Sequence, residues 1–402
     1  MSDKLTAEDV RKKWKKYMFA SVATYYDESV VLAEGQGSRL RDQDGTDYLD
    51  FFGGILTVSL GQQHPGWKAA LHAQIDRLGH TSTLYPNLPI VELAEKLVNL
   101  APGKMDKIFF SASGTEADET AYTLAQYFTG RQELIALRHG YSGRSLLAQS
   151  VTAHAKYRLQ TTQVAAVKHA HAPYCYRCPF KLKPESCALE CAQDIEELIQ
   201  TTTTGQIAGM IAEPIMGVGG FIEAPEGYMK LAAEIVRKYG GVFIADEVQT
   251  GFGRTGEKMW GIEHHGVEPD IVTMAKGIAN GLPLGGTMTR KEIADSWTGG
   301  NISTFGGNPL SAVAGAAVVD AIQEENLLEN ARVQGKRLKD GLLAMKDKYP
   351  IIGDVRGRGL MIGVELVANE PAKDRTPNLK STLRLFEETK KRHLLIGRGG
   401  LY

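Results

Sequence analysis

The chain has 402 residues, of which 43% are apolar and 23% charged, and its formal net charge is −1. That length supports two or three domains around a large core. The balanced charge gives no footing for a nucleic-acid or membrane-surface partner, and no apolar run is long enough to cross a bilayer. The opening stretch MSDKLTAEDVRKKWKKY mixes acids with bases and lacks an apolar segment. It resembles neither a secretory signal nor a transit peptide, so the expected setting is cytoplasmic.

Taken in chain order, VLAEGQGSRLRDQDGTDYLDFFGG reads as short strands joined by a turn at Asp44–Gly45. Short apolar runs then alternate with helical patterns, the signature of an α/β domain with a mostly parallel sheet. The predicted strands are Lys107–Ser111, Leu134–Arg138, Ile207–Ala212, Val242–Ala245 and Ile271–Ala275. The predicted helices include Thr115–Phe128, Tyr228–Tyr239 and Leu310–Glu325. Ala117, Ala121, Leu124, Ala125 and Phe128 give the first of these a stripe suited to packing on a sheet. Near the end, VRGRGLMIGVELV reads as a hairpin within a smaller α+β portion.

All four cysteines, Cys175, Cys178, Cys187 and Cys191, fall in YCYRCPFKLKPESCALEC, spaced C-x2-C-x8-C-x3-C. With His169 and His171 upstream, that spacing suits a structural zinc. It equally suits a surface excursion with free thiols, or a disulfide in an oxidising compartment. The second pair has helical spacing. These four are weak metal candidates, and no metal is expected in catalysis.

In open α/β sheets, ligands sit beyond the carboxyl ends of the strands. After Lys107–Ser111, Ser113, Gly114 and Thr115 lead into a helix, which makes an anion site, a capping box closed by Glu116, or both. After Leu134–Arg138, Tyr141 could offer an aromatic face. After Ile207–Ala212 stands Glu213. The run Val242–Ala245 stops on two adjacent acids, Asp246 and Glu247. A carboxylate at the end of a buried strand needs a cation or a full set of hydrogen bonds. Lys276, ending the run Ile271–Ala275 among small and apolar neighbours, supplies that cation. Such a lysine is suited to act as an amine nucleophile. A phosphate cradle, an aromatic plate, a carboxylate and an amine together match one cofactor, pyridoxal 5′-phosphate (PLP).

The segments DFFGGILTVSLGQQHP, FSASGTEADE, AEPIMGVGG, FIADEVQTGFGRTG, TMAKGIANGLPLGG, STFGGNPLSA and VRGRGLMIGVEL occur in that order. On them the chain resembles the class III aminotransferases of the fold type I PLP enzymes. The resemblance implies an α/β fold with a large domain built on a seven-stranded, mostly parallel sheet. A smaller α+β domain would draw on both chain ends. The implied division is an N-terminal segment at 1–60, a PLP-binding domain at 61–310 and a small domain at 311–402. It implies that Lys276 is the Schiff-base lysine and Asp246 the partner of the ring nitrogen. Val248 and Tyr141 would flank the ring, Gln249 would meet the ring hydroxyl, and Ser113, Gly114 and Thr115 would hold the phosphate. Thr304 would join them from a second subunit, which implies a homodimer. Glu213 matches an acid beside the substrate, and Ile55, Leu56 and Tyr85 match positions near the pocket.

Three residues depart from the family pattern: Ala112 and Asp118, where asparagine is usual, and Ser142, where histidine often follows the aromatic residue. The final IGRGGLY stops short of the family segment that carries a carboxylate-binding arginine, so the small domain is expected to be incomplete or to lack that clamp. Arg398 does not match it. Within the family, APYCYRCPF and LIGRGGLY resemble the branch of alanine–glyoxylate and 3-amino-2-methylpropanoate–pyruvate aminotransferases. The implied reaction moves an amino group from a small amino acid or ω-amino acid to glyoxylate or pyruvate. Alternatives are a 4-aminobutyrate or other ω-amino-acid aminotransferase, a glutamate-semialdehyde-type aminomutase, and a non-enzymatic zinc or redox module centred on the cysteines.

Overall fold

The computed structural model describes residues 5–159 and 162–402. At its centre lies a seven-stranded sheet. Across the sheet the strands run Lys107–Ser111, Gly285–Thr289, Ile271–Met274, Val242–Asp246, Gly209–Ala212, Leu134–Leu137 and Val167–Ala170. Only Gly285–Thr289 opposes its neighbours; the other strands point one way. Leu134–Leu137, Gly209–Ala212, Val242–Asp246, Ile271–Met274 and Gly285–Thr289 are buried along their whole length. Burial on both faces is why these strands read as continuous apolar runs rather than as an alternation.

Two strands escape the sequence pattern. Gly285–Thr289 is GGTMT, with one strongly apolar side chain, and it is buried because Ile271–Met274 and Lys107–Ser111 enclose it. Val167–Ala170 is an edge strand whose Lys168 and His169 are only half-buried. The predicted helices form as Gly114–Thr129, Tyr228–Lys238 and Pro309–Glu324. Ser113 starts the first, its hydroxyl accepting from the Glu116 N–H at 3.2 Å, and Gly130 ends it in the left-handed region at φ 69°. Its buried face is Ala117, Asp118, Ala121, Tyr122, Leu124 and Ala125. Phe128, expected on that face, is 39% exposed.

Near the N-terminus, Leu32–Gln36, Arg39–Asp42 and Asp47–Asp50 form an antiparallel meander. Gly45 turns the chain between the last two at φ 89°. Leu394–Leu395 adds to the same sheet, parallel to Asp47–Asp50. The expected hairpin forms from Ile352–Arg358 and Met361–Asn369. A buried charge cluster secures it. Glu365, 3% exposed, accepts from Arg356 at 2.7 Å, from Arg177 at 2.5 Å and from the Tyr174 hydroxyl. Arg356 also donates to the Gly220 carbonyl at 2.9 Å.

The cysteines sit in this region. They are free thiols, and all four line one small cavity together with Tyr174 and Pro225. Cys191 lies in the helix Glu190–Thr202, but Cys187 precedes it, so the second pair does not share a helix as its spacing suggests. Among the described residues, no three His, Cys, Asp or Glu side chains are arranged to hold a metal ion. His169 meets the Val151 carbonyl at 2.9 Å, and His171 meets Arg138 at 3.1 Å.

Burial pushes the Glu365 carboxyl up, but the Tyr174 hydroxyl and the two guanidiniums outweigh it and hold the group below the usual range. A depressed carboxyl stabilises the fold above its unfolded pKa, and that stabilisation is lost as pH falls through the folded value. E365Q is therefore expected to cost about 3 kcal/mol near neutral pH, because Arg177 loses its carboxylate and Arg356 keeps Asp354 alone. Urea unfolding of the two proteins at neutral and acidic pH checks this, and the difference should shrink in acid.

Candidate active site

The parallel strands bring their carboxyl ends to one edge of the sheet, and most of the predicted site residues collect there. Asp246 is the last residue of its strand; Glu213 follows Gly209–Ala212 directly, and Lys276 follows Ile271–Met274 after one residue. Asp246 and Glu213 are buried and Lys276 is half-buried, and burial is the largest influence on the ionisation of all three. Burial lowers the Lys276 amine below its usual range, while Asp246, Glu213 and Asp118 pull it back up. Burial raises Asp246, opposed by the Val248 N–H and by Lys276. Burial also raises Glu213, reinforced by the charge of Asp246. Lys276 itself is held at φ 48°, a left-handed conformation that costs a non-glycine residue energy and clusters at functional sites.

Backbone donors fix the acids. Asp246 Oδ1 accepts from the Val248 N–H at 3.0 Å. Glu213 accepts from the Tyr141 N–H at 3.1 Å and from the Gly217 N–H at 2.8 Å. Glu213 thus ties the Tyr141 loop to the loop beyond its own strand. Among the described residues, it forms no ion pair with an arginine. Tyr141, Glu213 and Asp246 line one cleft with Gly140, Ser142 and Ala212. The Tyr141 ring meets Tyr157 edge-on at 5.6 Å.

Glycines admit close approach at two points. A Cβ on Gly114 would stand 3.3 Å from both Val248 methyls and 3.4 Å from the Ala275 Cβ. The start of the helix, the residue after Asp246–Glu247 and the residue before Lys276 therefore meet. A Cβ on Gly217 would fall 2.0 Å from Gln249 Oε1, so Gln249 packs against the loop that Glu213 holds. Thr115 is covered by the loop after Tyr141, its hydroxyl accepting from the Arg144 N–H at 3.3 Å. Ser113 serves as the helix cap, and Glu116 accepts from the Ala112 N–H at 2.7 Å. The capping and anion-site readings are compatible, because the cap leaves the first-turn N–H groups facing outward.

Not every predicted residue joins the group. Thr304 is exposed, in a loop tied to Thr83 through Ser303, and makes none of these contacts. Ile55 and Leu56 lie in a left-handed turn at φ 66° and 59°, and Ile55 and Tyr85 are 52% and 70% exposed. Arg398 lies over the Tyr25 and Phe386 rings. The site also holds a residue that sequence reasoning treated only as a departure from pattern. Asp118 is 1% exposed and interacts with Asp246, Glu213 and Lys276. Its signal was faint, since acids on both sides make it look like part of a solvated helix face.

The donor set fits pyridoxal 5′-phosphate. A half-buried lysine of lowered basicity suits the aldehyde, and an aspartate with an oxygen left over suits the ring nitrogen. A 16-residue helix with free first-turn N–H groups suits the phosphate. The fold and this edge define a PLP-dependent enzyme of fold type I. The chain belongs to the class-III aminotransferases, whose family model matches residues 21–400.

Relatives agree. Alanine–glyoxylate aminotransferase 2 homolog 2 of Arabidopsis thaliana is 43% identical over 398 residues, 99% of this chain and 82% of that protein. Alanine–glyoxylate aminotransferase 2 of Homo sapiens is 38% identical, over 96% of this chain and 79% of that protein. The crystal structure of an amine transaminase from an uncultivated Pseudomonas species, in its PLP-bound form, superposes with a TM-score of 0.88 at 33% identity. It covers 96% of this chain and 91% of that one.

E213Q keeps the shape of Glu213 but can accept only one of its two N–H bonds. It is expected to destabilise the apoprotein by about 1–3 kcal/mol, the cost of one stranded buried donor. Chemical denaturation without cofactor measures it.

Proposed function

We propose that this aminotransferase moves an amino group from a small donor such as alanine or 3-aminoisobutyrate to glyoxylate or pyruvate. The observation that carries the choice is the match, along nearly the full chain, to two proteins named alanine–glyoxylate aminotransferases. The cofactor supplies an aldehyde carbon to receive the amino group and a cationic ring to draw electrons. The chain's residues do the rest. Lys276 Nζ, made less basic by burial, is the amine that would hold the aldehyde and give way to the donor. Once free, it takes the proton from the donor's amine-bearing carbon and returns it within the site. Asp246, ionised, keeps the ring nitrogen protonated. Val248 and Tyr141 would flank the ring, Gln249 would face its hydroxyl, and Ser113, Gly114 and Thr115 would hold the phosphate.

A second copy of the chain completes the site through Thr304. Leu84, Tyr85, Ile302 and Phe305 are 62–70% exposed and flank the junction where Thr83 and Ser303 hydrogen-bond. Leu88 and Val91 extend this apolar surface, which needs a cover.

The decisive experiment is a panel of donors and acceptors on the purified enzyme. Alanine or 3-aminoisobutyrate with glyoxylate or pyruvate should be the best pairs. Faster turnover of 4-aminobutyrate with 2-oxoglutarate would move the enzyme to the ω-amino-acid alternative, and turnover without any oxo acid would indicate an aminomutase. K276A should lose the cofactor's visible absorbance and at least about 10³-fold in turnover, within the range expected for removing a nucleophile and proton carrier. T304A should weaken cofactor binding while light scattering still gives a dimer mass. A monomeric wild type, or unchanged cofactor affinity in T304A, would remove Thr304 from the site.

A further inference from the structure

Asp246, Glu213 and Asp118 share the buried edge with one cation, Lys276. Backbone donors distinguish the three. Glu213 accepts two N–H groups and Asp246 accepts one. Asp118 accepts none, and its Oδ1 is buried without a hydrogen-bond partner. The Gly114–Thr129 helix carries Asp118 onto the sheet, where it faces Thr273. Thr273 is the cross-strand neighbour of Asp246, and its hydroxyl favours the ionised form of Asp118, but by less than burial and the Asp246 charge oppose it. The other ionisable groups facing Asp118 are Glu213, Lys276 and the Tyr122 phenol one turn along its own helix.

An ionised Asp118 would be a buried anion with no backbone donor, beside a second anion. That arrangement costs more than keeping a proton. Burial and the Asp246 charge push Glu213 up as well, to about 8, but its two N–H donors favour the ionised form, so the acid that lacks backbone donors holds its proton most firmly. We propose that Asp118 is a positioning residue for Asp246: it keeps its proton and gives Asp246 a neutral polar neighbour in place of a second charge. Asp246 then carries the negative charge alone toward the cofactor ring. The consequence for the cofactor rests on Asp246 being the ring-nitrogen partner; the proton on Asp118 does not. Burial, with Asp246 and Glu213 adding to it, pushes the Asp118 carboxyl well above the usual range, in keeping with the geometry.

Infrared spectra of apoenzyme and holoenzyme at neutral pH test the proton directly. The wild-type-minus-D118N difference spectrum should contain a carboxylic-acid C=O band, the contributions of Glu213 and Glu247 cancelling because both proteins keep them. The pH midpoint of the holoenzyme's cofactor absorbance tests the role. D118N, neutral and of the same shape, should leave that midpoint in place, and D118A should shift it and weaken cofactor binding several-fold. Absence of that difference band overturns the proposal. So does a midpoint in D118N lower by about one pH unit, the signature of a lost negative charge worth about 1.4 kcal/mol. If D118A does not fold, the band and the D118N midpoint still decide. Failure of the Asp246 reading looks different: D246N would leave the cofactor midpoint and turnover unchanged while the Asp118 band persisted.

Discussion

One half-buried amine is packed with three buried acids at the edge of a parallel sheet, and much of the surrounding structure follows from making that arrangement tolerable. Such a group of charges cannot be left to water, so each must be neutralised or hydrogen-bonded by the protein itself. The sheet topology brings them together, because strands running one way deliver their ends to one side. The loops beyond those ends then turn their N–H groups back on the acids. Val248 does so for Asp246, and Tyr141 and Gly217 do so for Glu213. The same N–H groups that stabilise the acids thereby place the aromatic ring and the small residues around the cleft.

The adjacent pair Asp246 and Glu247 shows how two like residues divide their work. Neighbouring side chains at a strand end point to opposite faces. Glu247 is fully buried and accepts from Thr250 at 2.5 Å, from the Gly261 N–H at 2.9 Å and from the Ile262 N–H at 2.7 Å. It is spent on pinning the long loop that follows. Asp246 uses one oxygen on Val248 and keeps the other for the cleft. A carboxylate with spare acceptor capacity beside a half-buried amine is equipped for chemistry, whereas one whose oxygens are taken by the chain is equipped to hold a shape.

Much of this was legible in the sequence. Asp246, Glu213 and Lys276 each interrupt an apolar run, and a charge at the end of a buried strand has few bland explanations. The strand and helix bounds fell within a few residues for the same reason. The failures have physical causes too. Gly285–Thr289 lacks an apolar pattern because its burial comes from enclosing neighbours rather than from its own side chains. Asp118 carries only a faint signal, its helical spacing from Ala121 and Ala125, which turns it to the sheet while Glu116 faces out. The cysteine spacing left zinc, free thiols and a disulfide open, and only the fold reveals that the four thiols share a cavity while Cys187 stays outside the helix.

The small C-terminal hairpin reaches the site through a continuous set of polar contacts. Glu365 holds Arg356, Arg356 donates to the Gly220 carbonyl, and the Gly217 carbonyl accepts from the Gly220 N–H at 3.1 Å. Gly217 in turn donates to Glu213, which holds Tyr141. Each link is a buried or half-buried hydrogen bond whose loss strands a polar group, so the set resists piecemeal loosening. A Cβ on Gly220 would come 3.2 Å from the Arg356 guanidinium, and one on Gly217 would strike Gln249. The loop can therefore lie flat between hairpin and cleft only because its glycines leave room. The charge cluster at Glu365 looks remote from the chemistry, yet it sets the floor on which the aromatic side of the site rests.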